Sequence, residues 1–302
     1  MDSIDINTDN IPAEENIDVL KRQLKKEQRQ IKIHKFTRNK LAMIGATITI
    51  AMILVAALAS VIAPTGPYDM IVSNRLKSPS PTNIFGTDTL GRDLFSRIIY
   101  GARVSIKVGA AVSAISLVVG MIIGLYSSYY KVLDSILMRI CDGLKAIPAI
   151  LLAIGLMAVL GTSVRNVIIS LAIVYIPDIA RITRSSALMV KEQTYIESMK
   201  ALGASSYRII WHHIAPNVLS PVIVQASFIF ATAIVQEASL SFLGVGVPVP
   251  APSWGNILYE GKEVIYNAWW MIVFPGLSMA LPVLGLNLLG DGIREVMDPM
   301  SN

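Results

Sequence analysis

Apolar residues in this chain fall in long blocks separated by polar stretches, not in the alternating or 3.6-residue patterns of surface elements. A helix needs about 20 apolar residues to cross the hydrocarbon core of a bilayer. The blocks predict about six spans, near 41–63, 104–126, 143–161, 164–184, 217–239 and 267–290. The fourth is the weakest. Its apolar part, 167–176, is interrupted by Pro177 and Asp178, so the span must extend into its polar flank inside a bundle. The predicted fold class is an all-α integral membrane protein.

The stretches between the blocks differ in kind. Residues 64–103 are polar and rich in Gly and Pro, and read as an external segment. There Asp88 or Thr89 can cap a helix, with Leu94, Ile98 and Tyr100 laid on the membrane. Gly109, Gly120 and Gly124 in the second span allow close helix packing. A polar link then carries Lys131, Asp134, Arg139, Asp142 and Lys145. Residues 240–261 hold Pro248, Pro250 and Pro252 and read as a stiff external or re-entrant loop, not a helix. Trp269 and Trp270 read as an interface anchor for the last span.

The stretch 195–216 stands apart, because it is long, polar and basic where a turn would suffice. Its pattern predicts two short helices broken at Gly203, where a glycine adopts positive φ without a Cβ penalty. Ile196, Met199 and Ala201-Leu202 form an apolar side on the first, and Ile209, Ile210, Trp211 and Ile214 on the second. Glu197, Lys200 and Arg208 occupy other faces, and Pro216 suits the first turn of the next span. Two readings fit: a knob that docks into a groove on a soluble partner, or an ordinary interfacial amphipathic loop.

Composition agrees with the blocks. Of the 302 residues, 53% are hydrophobic and only 16% charged, fewer charges than a soluble chain exposes. The net charge of +5 reflects lysines and arginines flanking the spans, and no nucleic-acid partner is expected. Residues 1–40 form an N-terminal tail. Its first half is acidic, and a basic run from Lys21 to Lys40 reads as a helix on the cytoplasmic face. That run places the N-terminus inside, although Arg75, Lys77, Arg92, Arg97 and Arg103 make the external segment basic too. The first apolar block is too long for a signal peptide. A single cysteine, Cys141, excludes an internal disulfide.

Enzyme chemistry finds no support. Gly255 to Lys262 misses P-loop spacing, and Glu263 stands where Ser or Thr should hold magnesium. His212 and His213 are adjacent and point apart, so no metal site is expected. Candidate path residues are Asp178, Gln225, Gln236 and Glu237. Intramembrane ionisable groups face a bundle interior or an aqueous path. The competing reading pairs Asp178 with Arg181 at the interface and has the glutamines cross-link helices.

Residues 197–216 resemble the EAA loop of ABC-importer permeases. Glu197-Ser198-Met199, Gly203 at the matching spacing, and His213-Ile214-Ala215-Pro216 carry the resemblance; both alanines and the leucine of the generic pattern are replaced. Gly86-Thr87-Asp88 with Gly91-Arg92-Asp93, Tyr100-Gly101-Ala102-Arg103, residues 237–244, Pro252-Ser253-Trp254-Gly255 and residues 290–294 resemble one branch, the dipeptide, oligopeptide and nickel permeases, and its second permease subunit. The resemblance implies a type I importer transmembrane domain over 41–302, multi-pass in the bacterial inner membrane, with both termini cytoplasmic. It implies a homologous second permease, two ATP-binding subunits and an extracellular or periplasmic substrate-binding protein as partners. ATP and magnesium would bind to the ATPase subunits, with no cofactor in this chain. A coupling loop at 192–216 would enter an ATPase groove, with Glu197, Lys200, Ala201, Gly203, Ala204, Ser205, Arg208 and Pro216 as its residues. The implied cargo is a di- or oligopeptide, with nickel or a metallophore as the alternative. From the residues alone, a proton-coupled secondary transporter or a non-transporting membrane anchor stays open.

Overall fold

The computed structural model describes residues 24, 26–27, 30 and 34–297. The acidic half of the tail and most of the basic run lie outside these residues. Residues 34–38 are helical, and Asn39 then accepts the Ala42 N–H at 3.0 Å and caps the first long helix.

That helix, α1, spans Lys40–Ala57, and α2 (Ala59–Ile62) continues it after a break at Leu58. α3 (Leu94–Tyr129) has 36 residues, about 54 Å, well beyond the hydrocarbon thickness. α4 (Lys131–Lys145) and α5 (Ala149–Leu160) meet at a 95° bend. α6 spans Val164–Lys191 and α7 Thr194–Ala201. α8 (Ser206–Phe242) is the longest helix, α9 (Trp254–Lys262) is short, and α10 (Trp270–Met297) closes the chain. Five of these helices are long and apolar enough to cross a membrane, or six if the bent α4–α5 pair counts as one span.

Several expected boundaries move, each for a physical reason. The second span starts ten residues earlier than predicted, because the Asp93 carboxylate accepts the Ser96 N–H at 2.8 Å and caps α3 there; Asp88 and Thr89 do not. Leu94 and Ile98 face protein, not lipid, packing with Trp254 and Ile257. The polar link is the amphipathic α4. The fourth span extends beyond 184 and runs unbroken through Pro177 to Lys191. Residues 240–261 are not all loop: α8 continues to Phe242, and the Ser253 hydroxyl accepts the Asn256 N–H to start α9. Trp269 is exposed as expected of an anchor, but Trp270 is buried and donates its indole N–H to the Thr87 carbonyl at 3.1 Å.

The apolar interior forms three clusters stacked along the bundle. The central one joins Val108 and Val112 of α3 to Met157 of α5, Leu171 and Val174 of α6, and Val222 and Ile229 of α8. α3 and α6 approach closely because Gly124 has no side chain: a Cβ there would sit 2.5 Å from the Ala180 carbonyl oxygen. A second cluster around Trp254 fills one end of the bundle, and a third, built on four isoleucines, fills the other.

Candidate coupling surface and the buried polar sites

The isoleucine end carries the predicted two-helix element. α7 stops at Leu202. The Gly203 N–H then donates to the Lys200 carbonyl and the Ala204 N–H to the Met199 carbonyl, both at 3.0 Å, with Gly203 at φ +79°. This pair of bonds is the Schellman termination, which needs a left-handed residue after the cap. No atom lies within 4 Å of a Cβ built on Gly203, so only backbone conformation demands glycine there. The Ser205 hydroxyl accepts the Arg208 N–H and starts α8.

One side of this element is anchored. Ile196, Ile209, Ile210 and Ile214 are all buried, against Met121 and Leu125 of α3 and Ala187 of α6. Ala204 packs at the edge of the same cluster. The other side is open. Leu202 is 86% exposed and Tyr207 65%, and Glu197, Lys200, Ala201, Ser205 and Arg208 are exposed around them. The expectation that Ile196, Met199 and Ala201-Leu202 share one apolar side is therefore corrected: Ile196 turns inward to the cluster, while Ala201 and Leu202 are exposed.

The second helix is also not separate from the next span. α8 runs on from Ser206, and Pro216 stands in the first turn of its regular α-helical part, Ala215–Phe242, as expected. The helix accommodates the proline by widening over Ile209–Ile214, where the Ala215 N–H reaches back to the Ile210 carbonyl, five residues away. The wider turn relieves the clash that a proline ring makes in a helix interior. The Asn217 side chain donates to the His213 carbonyl at 2.6 Å. The second arm of the element and the span thus form one rod.

The candidate path residues do not converge. Asp178 pairs with Lys145 of α4 at 2.8 Å, and not with Arg181, which instead bonds Asp142 at 2.6 Å. Arg184 makes a two-pronged contact with Asp134. Together these three pairs stitch α4 to α6. Glu237 does not end its span. It is fully buried within α8, where its carboxyl accepts the hydroxyls of Ser105 (2.7 Å) and Ser241 (2.9 Å). It links α3 to α8 and lines no opening. Gln225 and Gln236 are half-buried in α8, and the Gln236 side-chain oxygen has no hydrogen-bond partner.

The opposite end holds a polar network that sequence reasoning missed. Arg92 and Arg97 are almost completely buried, and both bond Asp88, at 2.5 and 2.6 Å. Both also reach Glu260 of α9, at 2.7 and 2.5 Å. The Trp254 indole N–H donates to the Ile98 carbonyl at 3.1 Å beside them. Charged residues are almost never fully buried unless paired, and here two arginines meet two carboxylates. The network ties residues 88–97 to α9 and closes this end. The sequence signal was the Asp88–Arg92 spacing of four next to the Asp93 cap.

Fold and geometry together define an all-α integral membrane bundle, tied at one end by its own ion network and holding Leu202 and Tyr207 out among charged residues at the other. The family model described as the inner membrane component of binding-protein-dependent transport systems matches residues 116–300. The model for the N-terminal transmembrane domain of oligopeptide transport permease C matches residues 28–79. The chain is 45% identical over 262 residues to a putative peptide transport system permease protein of Brucella abortus, covering 87% of this chain and 88% of the relative. It is 44% identical to the dipeptide transport system permease protein DppC of Alkalihalophilus pseudofirmus, covering 87% and 86%. It is 43% identical to the glutathione transport system permease protein GsiD of Escherichia coli, covering 88% of each. The chain belongs to the family of binding-protein-dependent transport permeases, as an ABC-importer permease of the dipeptide and oligopeptide type.

Proposed function

We propose that this chain forms half of a translocation path for peptides and that ATP hydrolysis on partner subunits drives it through the knob at residues 194–208. The observation that carries the reading is the two-sidedness of that element: Ile196 and Ile209 fully buried, Leu202 and Tyr207 held out. A soluble monomer would hide such side chains, whereas a groove on a partner would cover them. Glu197, Lys200 and Arg208 would face the rim of that groove, and Gly203 would fix the angle between the two arms.

The partners on this reading are a homologous second permease, two ATP-binding subunits that hold ATP and magnesium, and a substrate-binding protein on the far side. The Gly203 end is cytoplasmic, with both termini on that side of a bacterial inner membrane. When the ATPase subunits close, the knob moves as a rigid body, and α8 and the isoleucine cluster carry that motion into α3 and α6. The bundle then switches between two packings, a bistable change in which this chain performs no chemistry. The names of the relatives favour a peptide cargo over nickel. Uptake of labelled dipeptides and of nickel by the assembled transporter in vesicles tests it: ATP-dependent peptide uptake is expected, and nickel uptake without peptide uptake would overturn the cargo.

A further inference from the structure

We propose that a basic recess beside the knob binds the phosphate headgroup of an anionic phospholipid in the adjacent leaflet; the inference rests on the orientation proposed above, which makes that leaflet the inner one. Two lysines from two elements meet there on one tyrosine ring, and a third from the next helix lies within electrostatic range. Lys191, at the end of α6, donates to the Ser128 and Tyr129 carbonyls at 2.7 and 3.3 Å and stands 5.5 Å from the Tyr129 ring centre. Lys200 of α7 stands 5.8 Å from the same ring. Lys131, the first residue of α4, lies within electrostatic range of Lys191, as do Lys200 and the acidic Asp134 and Glu192. Asp134 is already committed to Arg184, so positive charge exceeds negative. Neither Lys131 nor Lys200 has a carboxylate at salt-bridge distance among the described residues. Two ammonium groups gathered on the Tyr129 ring, with that of Lys131 within electrostatic range, repel each other, and an anion between them would relieve that repulsion.

The surroundings select a lipid over a soluble anion or a protein carboxylate. Val132, Ile136 and Ile140 are 72%, 53% and 56% exposed. They recur every four residues, so they form one apolar ridge along α4, leading away from Lys131. α4 turns by 95° from α5 and so does not continue that helix's direction. Tyr126, Tyr129 and Tyr130 pack ring against ring at the same level, and tyrosines favour the headgroup boundary. A phosphate on the lysines would lay its acyl chains on this ridge. Basic pockets between spans on the cytoplasmic side suit anionic headgroups. Because Lys200 belongs to α7, the lipid would help hold the knob in position.

The test uses the complete transport complex in nanodiscs of phosphatidylcholine with phosphatidylglycerol carrying a photoreactive acyl chain. Labelling is expected on residues 130–140, competed by unlabelled phosphatidylglycerol and not by phosphatidylcholine. The double variant Lys131→Gln/Lys200→Gln, which spares the carbonyl-capping Lys191, should reduce labelling about tenfold, since each lysine near an anionic surface contributes several-fold. The charge-matched control Arg75→Gln/Arg165→Gln, at exposed positions away from these lysines, should leave it unchanged. Labelling indifferent to the double variant, or competed equally by phosphatidylcholine, would overturn the proposal. Competition by inorganic phosphate at the same potency would make the recess a soluble-anion site. Protection by the ATPase subunits would assign it to a protein contact. Crosslinking of position 205 to the ATPase, read in the same samples, reports on coupling separately: its loss with lipid labelling intact would count against the coupling reading alone.

Discussion

The two ends of this bundle solve the same problem in opposite ways. At the Trp254 end, the charges are paired within the chain: Arg92 and Arg97 meet Asp88 and Glu260, leaving only Arg92 Nη1 and Arg97 Nε of the two guanidinium groups without a partner, and Trp254 is completely buried. At the Gly203 end, the isoleucines anchor one side of the element while Leu202 and Tyr207 are left without cover. Side chains at the first end hold the fold together. At the second end, the exposed ones add little to the fold and are available to another molecule. Substitutions should therefore separate stability from transport according to the end they strike.

The largest stability loss is expected at the closed end. Arg97→Met leaves the buried Asp88 and Glu260 with Arg92 as their one remaining cation, and breaking a buried ionic network by removing one member costs about 3–5 kcal/mol. Thermal unfolding in detergent should show it, and Arg97→Lys should recover only part, because an ammonium cannot replace the forked guanidinium. Replacing Glu237 with Leu strands two buried serine hydroxyls and should cost about 1–3 kcal/mol by the same assay. Gly203→Ala forces a Cβ into a left-handed conformation, for about 1–2 kcal/mol. Its effect on peptide uptake should be larger than its effect on unfolding, and Gly203→Pro should abolish uptake while membrane insertion persists. Lys145→Met removes one half-exposed rung between α4 and α6 and should cost less than about 1 kcal/mol. Smallest in stability is Leu202→Ser. It should leave the unfolding midpoint unmoved and yet weaken retention of the ATPase subunits on copurification. An Arg97→Met protein as stable as wild type, or a Leu202→Ser protein that loses stability and keeps its partners, would break the contrast between the ends.

Much of this was legible in the sequence where the signal is local. Block hydropathy gave the spans, and Gly203 between two polar, isoleucine-bearing segments gave the break, because a left-handed residue after a helix is a local demand. The closed end was hidden because its pairing is not local: Arg97 and Glu260 are 163 positions apart, and arginines in a Gly- and Pro-rich segment read as solvent-facing. α9 was masked by the three prolines before it, although Ser253 with Asn256 three residues later is a capping signal. α4 reads as a polar link because Lys131, Asp134, Arg139, Asp142 and Lys145 interrupt the four-residue spacing of Val132, Ile136 and Ile140. The alternative pairing of Asp178 with Arg181 fails because Arg181 is near in sequence while Lys145 is near in space.

The most direct test of the central claim is crosslinking from position 205. A Ser205→Cys variant on a Cys141→Ser background would carry one reactive thiol, at the exposed turn between α7 and α8. In the assembled complex, crosslinks to the ATPase subunits that change in yield between nucleotide-free and ATP-bound states are the expected result. A thiol that stays uncrosslinked while the ATPase subunits copurify would place the coupling contact elsewhere and contradict the account.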